Sequence, residues 1–278
     1  MTSNSQINNR VDIAGVKIDP LTINQANTSI ANIISNNYAR SYYVVKPYVE
    51  FVVRANKDEA IKDILNRADL VLADGVSLQW AASYLYGTPK HKFAKMLRSG
   101  LVWLQSPRWR SQILPDKMSG ANQTIPLLHL AEKHNWRVGI IGSFSKPEAL
   151  KTNIQTRFKK LNNIFTWSGY FEPSEETKLI DEIKSAKLDI LFVAMGFPRQ
   201  ELFISRNLDS KIAKVIIGEG GTFDYDQFGG KFKRAPKWMQ NAGIEWLWRL
   251  LIQPSRVYRQ LAIPKFLILI YSQARKIN

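Results

Sequence analysis

Between Ser41 and Ile217, short apolar runs alternate with stretches whose apolar residues recur at helical spacing. The runs SYYVVK (41–46), DLVLA (69–73), RVGIIG (137–142), IFTWSGY (164–170), DILFVAM (189–195) and KVIIG (214–218) predict strands. Several are apolar almost throughout, as strands covered on both faces of a parallel sheet must be. The intervening segments predict helices near 50–67, 76–86, 123–135, 146–161, 174–186 and 198–208. Pro147 and Pro198 at first-turn positions mark two starts, and Ser174 followed by Glu175, Glu176 and Thr177 gives another an acidic first turn. Right-handed crossovers then make an open, mostly parallel, Rossmann-like α/β sheet with helices on both faces the economical fold. An N-terminal piece, VDIAGVKID and a helix near 22–37, is expected to pad one edge.

Two regions break this rhythm. Residues 88–118 show no strand–helix unit, and residues 231–278 read as helix interrupted by Pro236, Pro254 and Pro264. The chain therefore divides into an α/β core, 1–230, with a basic insertion near 88–118, and a basic helical C-terminal appendage, 231–278. A chain ending near Gly230 is expected to keep its α/β body folded.

Charge sharpens that division. Of the net +16, residues 231–278 supply ten basic side chains against one acid, Glu245, and residues 90–115 supply six against none. Trp103 and Trp109 stand among the charges of one region, and Trp238, Trp246 and Trp248 among those of the other, as anchors of exposed type. The partner expected is polyanionic: a phosphate-bearing ligand, an anionic membrane surface or nucleic acid. With 278 residues, 45% hydrophobic and 22% charged, the chain is long and apolar enough for a substantial core, which excludes disordered and fibrous classes. It has no cysteine, which removes disulfides, thiolate metal sites and cysteine nucleophiles and fits a reducing compartment. The N-terminus, MTSNSQINNR, lacks an apolar signal core, and no uninterrupted apolar run approaches the roughly 20 residues that span a bilayer.

Ligands of open parallel sheets bind beyond the carboxyl ends of the strands. Four loops there carry polar and glycine residues: Asp74-Gly75, Gly142-Ser143, the run Gly196 to Glu201, and Glu219-Gly220-Gly221-Thr222-Phe223-Asp224. Neither a dinucleotide fingerprint nor a P-loop is present. Singly, each has a plain explanation: Asp74 as the cap of helix 76–86, Gln200 and Glu201 as first-turn residues, Asp224-Tyr225-Asp226 as a chance DxD. His129 and His134 are five apart and do not share a helix face, and His91 stands alone in a basic stretch.

The ordered series ADGVSLQWA (73–81), AMGFPRQELFI (194–204), GEGGTFDY (218–225), KRAPKWM (233–239) and GIEWLWRLLIQPSRVYR (243–259) resembles the WecG/TagA/CpsF family of bacterial glycosyltransferases. The likeness runs from about Val11 to Arg259. It implies an inverting, metal-independent enzyme that uses no cofactor. Such an enzyme moves a hexose or N-acetylhexosamine-type sugar from a UDP-sugar to a polyprenyl-diphosphate-linked saccharide. It would work as a peripheral protein on an anionic inner membrane face, in cell-surface polysaccharide assembly. The resemblance puts the catalytic base on Asp74, with an ordinary carboxylate pKa near 3.9 and hence weak basicity. It puts nucleotide and sugar contacts on Gly196, Gln200 and Asp224, and the strand-end loops add Gly75, Gly142, Glu201, Gly220 and Gly221 as substrate-binding candidates. Leaving-group stabilisation falls on Arg249, Arg256 and Arg259, whose spacings of seven and three share one helical face if the helix tolerates Pro254. A solvated basic face is the other reading of those arginines. The run FLILIY (266–271) either dips into the membrane interface or packs on the α/β body.

The chain also departs from the family pattern. Lys46-Pro47-Tyr48 stands where Thr-x-Asn is usual, Gly120-Ala121-Asn122 where Gly-Ser-Asp is frequent, and Glu219 where a small apolar residue is customary. The 88–118 stretch is longer than usual and reads as a membrane or acceptor contact or as surface decoration. A relative that binds nucleotide-sugar or lipid-linked saccharide without turnover is the alternative from another class. Nucleic-acid binding rests on charge alone and would be salt-sensitive.

Overall fold

The computed structural model describes residues 10–36, 39–87 and 107–277, so most of the basic insertion, including Trp103, lies outside the described residues. Six parallel strands form one sheet: β3 (Tyr42–Val45), β4 (Leu70–Val71), β5 (Val138–Gly142), β6 (Ile164–Trp167), β7 (Leu188–Ala194) and β8 (Ala213–Gly218), in the order β4-β3-β8-β7-β5-β6. Val44 pairs with both Leu70 and Ile217, which sets β3 between β4 and β8.

Side chains alternate across the sheet with period two. Tyr43, Val45, Leu191, Val193 and Ile216 face one apolar layer; Val44, Ile190, Phe192, Val215 and Ile217 face the other. The first layer is covered by α2 (Val49–Ala55), α3 (Glu59–Asn66), α4 (Val76–Tyr86), α8 (Glu176–Ala186) and α9 (Arg199–Asn207). The second is covered by α1 (Ile23–Ser35), α6 (Gly120–His134) and α7 (Pro147–Arg157). The α/β sheet with helices on both faces is the architecture that the hydrophobic pattern predicts.

Three local differences have local causes. The helix expected over 50–67 is two helices, because the Asp58 carboxylate accepts the Ile61 N–H and caps a new start after Asn56 and Lys57. Strand β6 stops at Trp167, where Gly169 packs against Gly142 and the chain turns away. The N-terminal piece forms its own antiparallel pair, β1 (Val11–Ile13) and β2 (Val16–Ile18), and does pad an edge. Asp19 donates its N–H to the Val71 carbonyl and accepts the Val71 N–H on its carboxylate, so it covers β4, the terminal strand of the sheet.

The tail contains α10 (Lys237–Ala242), α11 (Glu245–Ile252), a 3₁₀ turn at Pro254–Arg256, α12 (Val257–Gln260) and α13 (Ala262–Ile277). Phe266, Ile270 and Ala274 recur at helical spacing, are buried, and join the first apolar layer beside α2 and α4. Packing is therefore the role of Phe266 and Ile270 of the FLILIY run, with Ile268 left exposed on the opposite side. Gln273 adds a polar tie by accepting the Ala14 N–H. In the described part of the insertion, α5 (Pro107–Arg110) buries Trp109 against α4, so this tryptophan belongs to the core and is not an exposed anchor. Among the described residues, no helix is long and apolar enough to cross a membrane.

Candidate active site

A cavity of about 650 Å³ opens at the carboxyl ends of the strands and is roofed by α11, α12 and the start of α13. Asp74, Gly75, Gly142, Gly196, Gln200, Gly220, Gly221, Asp224, Arg249, Arg256 and Arg259 all line it, although 185 residues separate the first from the last. The strand order spreads them in a row. Asp74 follows β4, Lys46 follows β3, Glu219 to Asp224 follow β8, Gly196 follows β7, and Gly142 ends β5.

Asp74 is tethered by its N–H, which donates to the Pro47 carbonyl at 2.8 Å. The residue that caps α4 is Gly75, with no side-chain cap, so the carboxylate of Asp74 is not spent on the helix. Nor does it accept a hydrogen bond from any other described residue. Burial raises its pKa to about 6, opposed by the positive charge of Lys46 and assisted by Glu245. Its basicity thus exceeds that of an ordinary aspartate.

Arg249, Arg256 and Arg259 do not share one helix. The chain breaks at Gln253 before Pro254, as the missing N–H of proline requires, and Arg249 ends up on α11 with Arg256 and Arg259 beyond the break. The bend still brings them together. Arg249 donates to the Gly221 carbonyl at 2.9 Å and stacks its guanidinium 4.1 Å from the Tyr225 ring. A Cβ on Gly221 would lie 3.2 Å from Arg256 Nη2, 3.6 Å from Arg249 Nη1 and 3.0 Å from Asp224 Oδ2. Arg256 donates to Gln253 and pairs with no acid among the described residues. Burial, then the like charges of Arg249 and Arg259, push its pKa down to about 10. Arg259 reaches Glu50 at 3.7 Å. These arginines form a cationic wall short of anions.

Other charges around the cavity largely cancel. Lys46 and Glu219 form a buried ion pair, to which Thr124 Oγ1 donates at 2.7 Å. Lys117 and Arg234 share Glu245, at 3.8 and 3.2 Å. What remains unbalanced is the arginine wall, which suits a phosphate-bearing ligand.

Gln200 holds the loops in shape. Its Oε1 accepts the N–H groups of Gly196 and Gly220 at 3.1 and 3.0 Å, and its Nε2 donates to Glu201. Gly196 and Gly220 both have positive φ, a backbone that glycine adopts without strain. Glu201, one residue further round α9, points behind the cavity wall and does not line it. Burial raises its pKa to about 8. Asp224 Oδ1 accepts the Phe144 N–H at 2.8 Å, while Asp226 is exposed outside the cavity, so the two carboxylates of the DxD do not converge. Among the described residues, no group of three or more His, Asp or Glu is placed to hold a metal ion.

Residue by residue, the sequence pointed at most of this wall but not at its rim. Phe144 and Tyr170, 63% and 71% exposed, stand at the mouth on the loops after β5 and β6. An aromatic residue in a turn is the only sequence signal that marks either.

The sequence profile of the "Glycosyl transferase WecG/TagA/CpsF family" matches residues 11–97 and 96–278. The chain belongs to the WecG/TagA/CpsF family of glycosyl transferases. Among curated proteins, it is 28% identical over 270 residues to the N-acetylglucosaminyldiphosphoundecaprenol N-acetyl-beta-D-mannosaminyltransferase of Staphylococcus aureus (strain MRSA252), an alignment covering 97% of this chain and 95% of that protein.

Lys46, Tyr48, Asn122 and Glu219, which depart from the family pattern, each have a polar partner in this WecG/TagA/CpsF member. Lys46 pairs with Glu219, itself a departure. Tyr48 donates to Glu50 at 2.6 Å, the carboxylate that faces Arg259. Asn122 accepts from Arg234 at 2.7 Å, the arginine that holds Glu245. These contacts tie the departing residues to the cavity wall and leave Glu219 Oε2 without a hydrogen-bond partner among the described residues.

Proposed function

We propose that this protein transfers a hexose or N-acetylhexosamine-type sugar from a UDP-sugar to a polyprenyl-diphosphate-linked saccharide, with inversion and without a metal, in cell-surface polysaccharide assembly. One observation carries the reading: Asp74, whose carboxylate has no partner among the described residues, shares a cavity with Arg249 and Arg256, which have no acidic partner among them either. The acceptor hydroxyl gives its proton to Asp74 as its oxygen attacks the sugar C1, and the departing diphosphate leaves towards the arginines. Gly220, Gly221 and the free Oδ2 of Asp224 border the path of the nucleotide, and Gln200 acts by positioning the two glycine loops. The name of the staphylococcal relative, which places its acceptor on diphosphoundecaprenol, supports a lipid-linked acceptor here.

The tail supplies the surface for the inner membrane face. Trp238, Leu251, Tyr258, Leu261 and Ile268 are exposed along it, interleaved with Lys237, Lys265, Arg275 and Lys276. A screen of UDP-sugars for turnover with a short-chain polyprenyl-diphosphate saccharide tests the reading, with Asp74→Asn as the control. Transfer that disappears in the variant supports it. Binding without turnover in the wild-type protein would make the chain a non-catalytic relative.

A further inference from the structure

The cavity wall between the base and the arginines is occupied by a charged pair that neither role uses. Lys46 leaves β3 and Glu219 leaves the neighbouring β8, so the pair stands between Asp74, beyond β4, and the Gly221 loop on which the arginines converge. In a transfer reaction the reacting sugar occupies the interval between base and diphosphate, and this pair is the wall of that interval. Both side chains are nearly inaccessible, at 3% and 1%. Glu219 Oε1 is saturated by Lys46 and Thr124, whereas Oε2 has no hydrogen-bond partner among the described residues. Lys46 spends one of its three donors on Glu219. A buried ion pair is a costly way to fill space compared with two apolar side chains, and an orphaned carboxylate oxygen adds to that cost. The arrangement makes sense where a ligand supplies the missing donor.

We infer that Lys46 and Glu219 form the sugar-reading subsite: Glu219 Oε2 accepts a hydroxyl or amide N–H from the transferred sugar, and the pair selects an uncharged hexose or N-acylamino-hexose over a uronate. Because Lys46 is already neutralised, a second carboxylate at this wall would face Glu219 with no cation to spare. The inference rests on the UDP-sugar reading above and names the class of sugar within it.

Calorimetric binding of UDP, a neutral UDP-hexose, a UDP-N-acetylhexosamine and a UDP-hexuronate to the full chain tests it. Wild-type protein is expected to prefer the neutral donors to the uronate. Glu219→Gln is expected to weaken the neutral donors about tenfold, narrow their lead over the uronate, and leave UDP unchanged. The double variant Lys46→Met/Glu219→Leu removes both charges together, avoids an unpaired buried charge, and is expected to show the same loss of preference. If UDP binds and the variants weaken it as much as the UDP-sugars, or leave the donor preference intact, the pair is only a brace and the inference falls alone. If UDP does not bind the wild-type protein, the donor reading falls and takes this inference with it.

Discussion

Asp74 stands on the sheet, tethered through its own N–H to the chain leaving β3, whereas Arg249 and Arg256 reach the same cavity from the tail. The arginines rest on one carbonyl, one tyrosine ring and one glutamine. The two walls also hold their charges at different cost. The carboxylate is disfavoured chiefly by burial, and the cation of Arg256 by burial and by its own neighbours. In the proposed transfer a base must stay in register with the reacting atoms, and Asp74, the base of that proposal, is held by the sheet. The proposed counter-charges for a leaving group need only converge, which a bent tail allows.

Asp74→Asn removes the carboxylate while keeping the shape of the side chain. Transfer is expected to fall about a thousandfold in a turnover assay. Thermal unfolding at neutral pH should show a more stable protein, because the native state holds the carboxylate at about 6 against an ordinary 3.8, a cost of up to about 3 kcal/mol when ionised. Next in size is Phe266→Ala in α13. Denaturant unfolding should report a loss of about 3 kcal/mol, showing that this half of the tail belongs to the core. The same burial means that a chain cut near Gly230 would leave the facing surfaces of α2 and α4 uncovered.

Arg256→Ala should lower kcat/KM about a hundredfold with little change in unfolding, since its side chain braces no core element. The pH profile sharpens the contrast more gently. Activity should drop about tenfold per unit once pH falls below about 6, as Asp74 takes up its proton. The contribution of Asp74 to stability runs the other way: the raised pKa means that stability is fully present below 3.8 and lost as pH rises through about 6. Smallest is the surface effect. Tyr258→Ser with Leu261→Ser should weaken binding to anionic vesicles severalfold in a sedimentation assay, with unfolding unchanged.

How far the sequence reached depends on what each residue needs from its neighbours. Burying both sides of a sheet demands unbroken apolar runs, so β5, β7 and β8 were legible as written. Glycine loops at strand ends and the two isolated basic regions were legible for similar reasons. Helix 50–67 was not, because one Asp58 cap outweighs an apolar periodicity that continues across the break. Glu201 misled because helix phase, rather than proximity to Gln200, decides which side chain meets the cavity. Trp109 misled because tryptophan among arginines has the same composition whether it anchors or is buried.

By itself, the sequence determined the layered α/β architecture, the glycine loops and the family, since these follow from local patterns of burial and backbone freedom. Only the tertiary structure decided that Asp74 is a free, basic carboxylate, that the arginines converge across a broken helix, and that Lys46 finds Glu219. The reason is physical: charge energies depend on distance and burial in space, and residues 173 positions apart become neighbours only when β3 and β8 lie side by side.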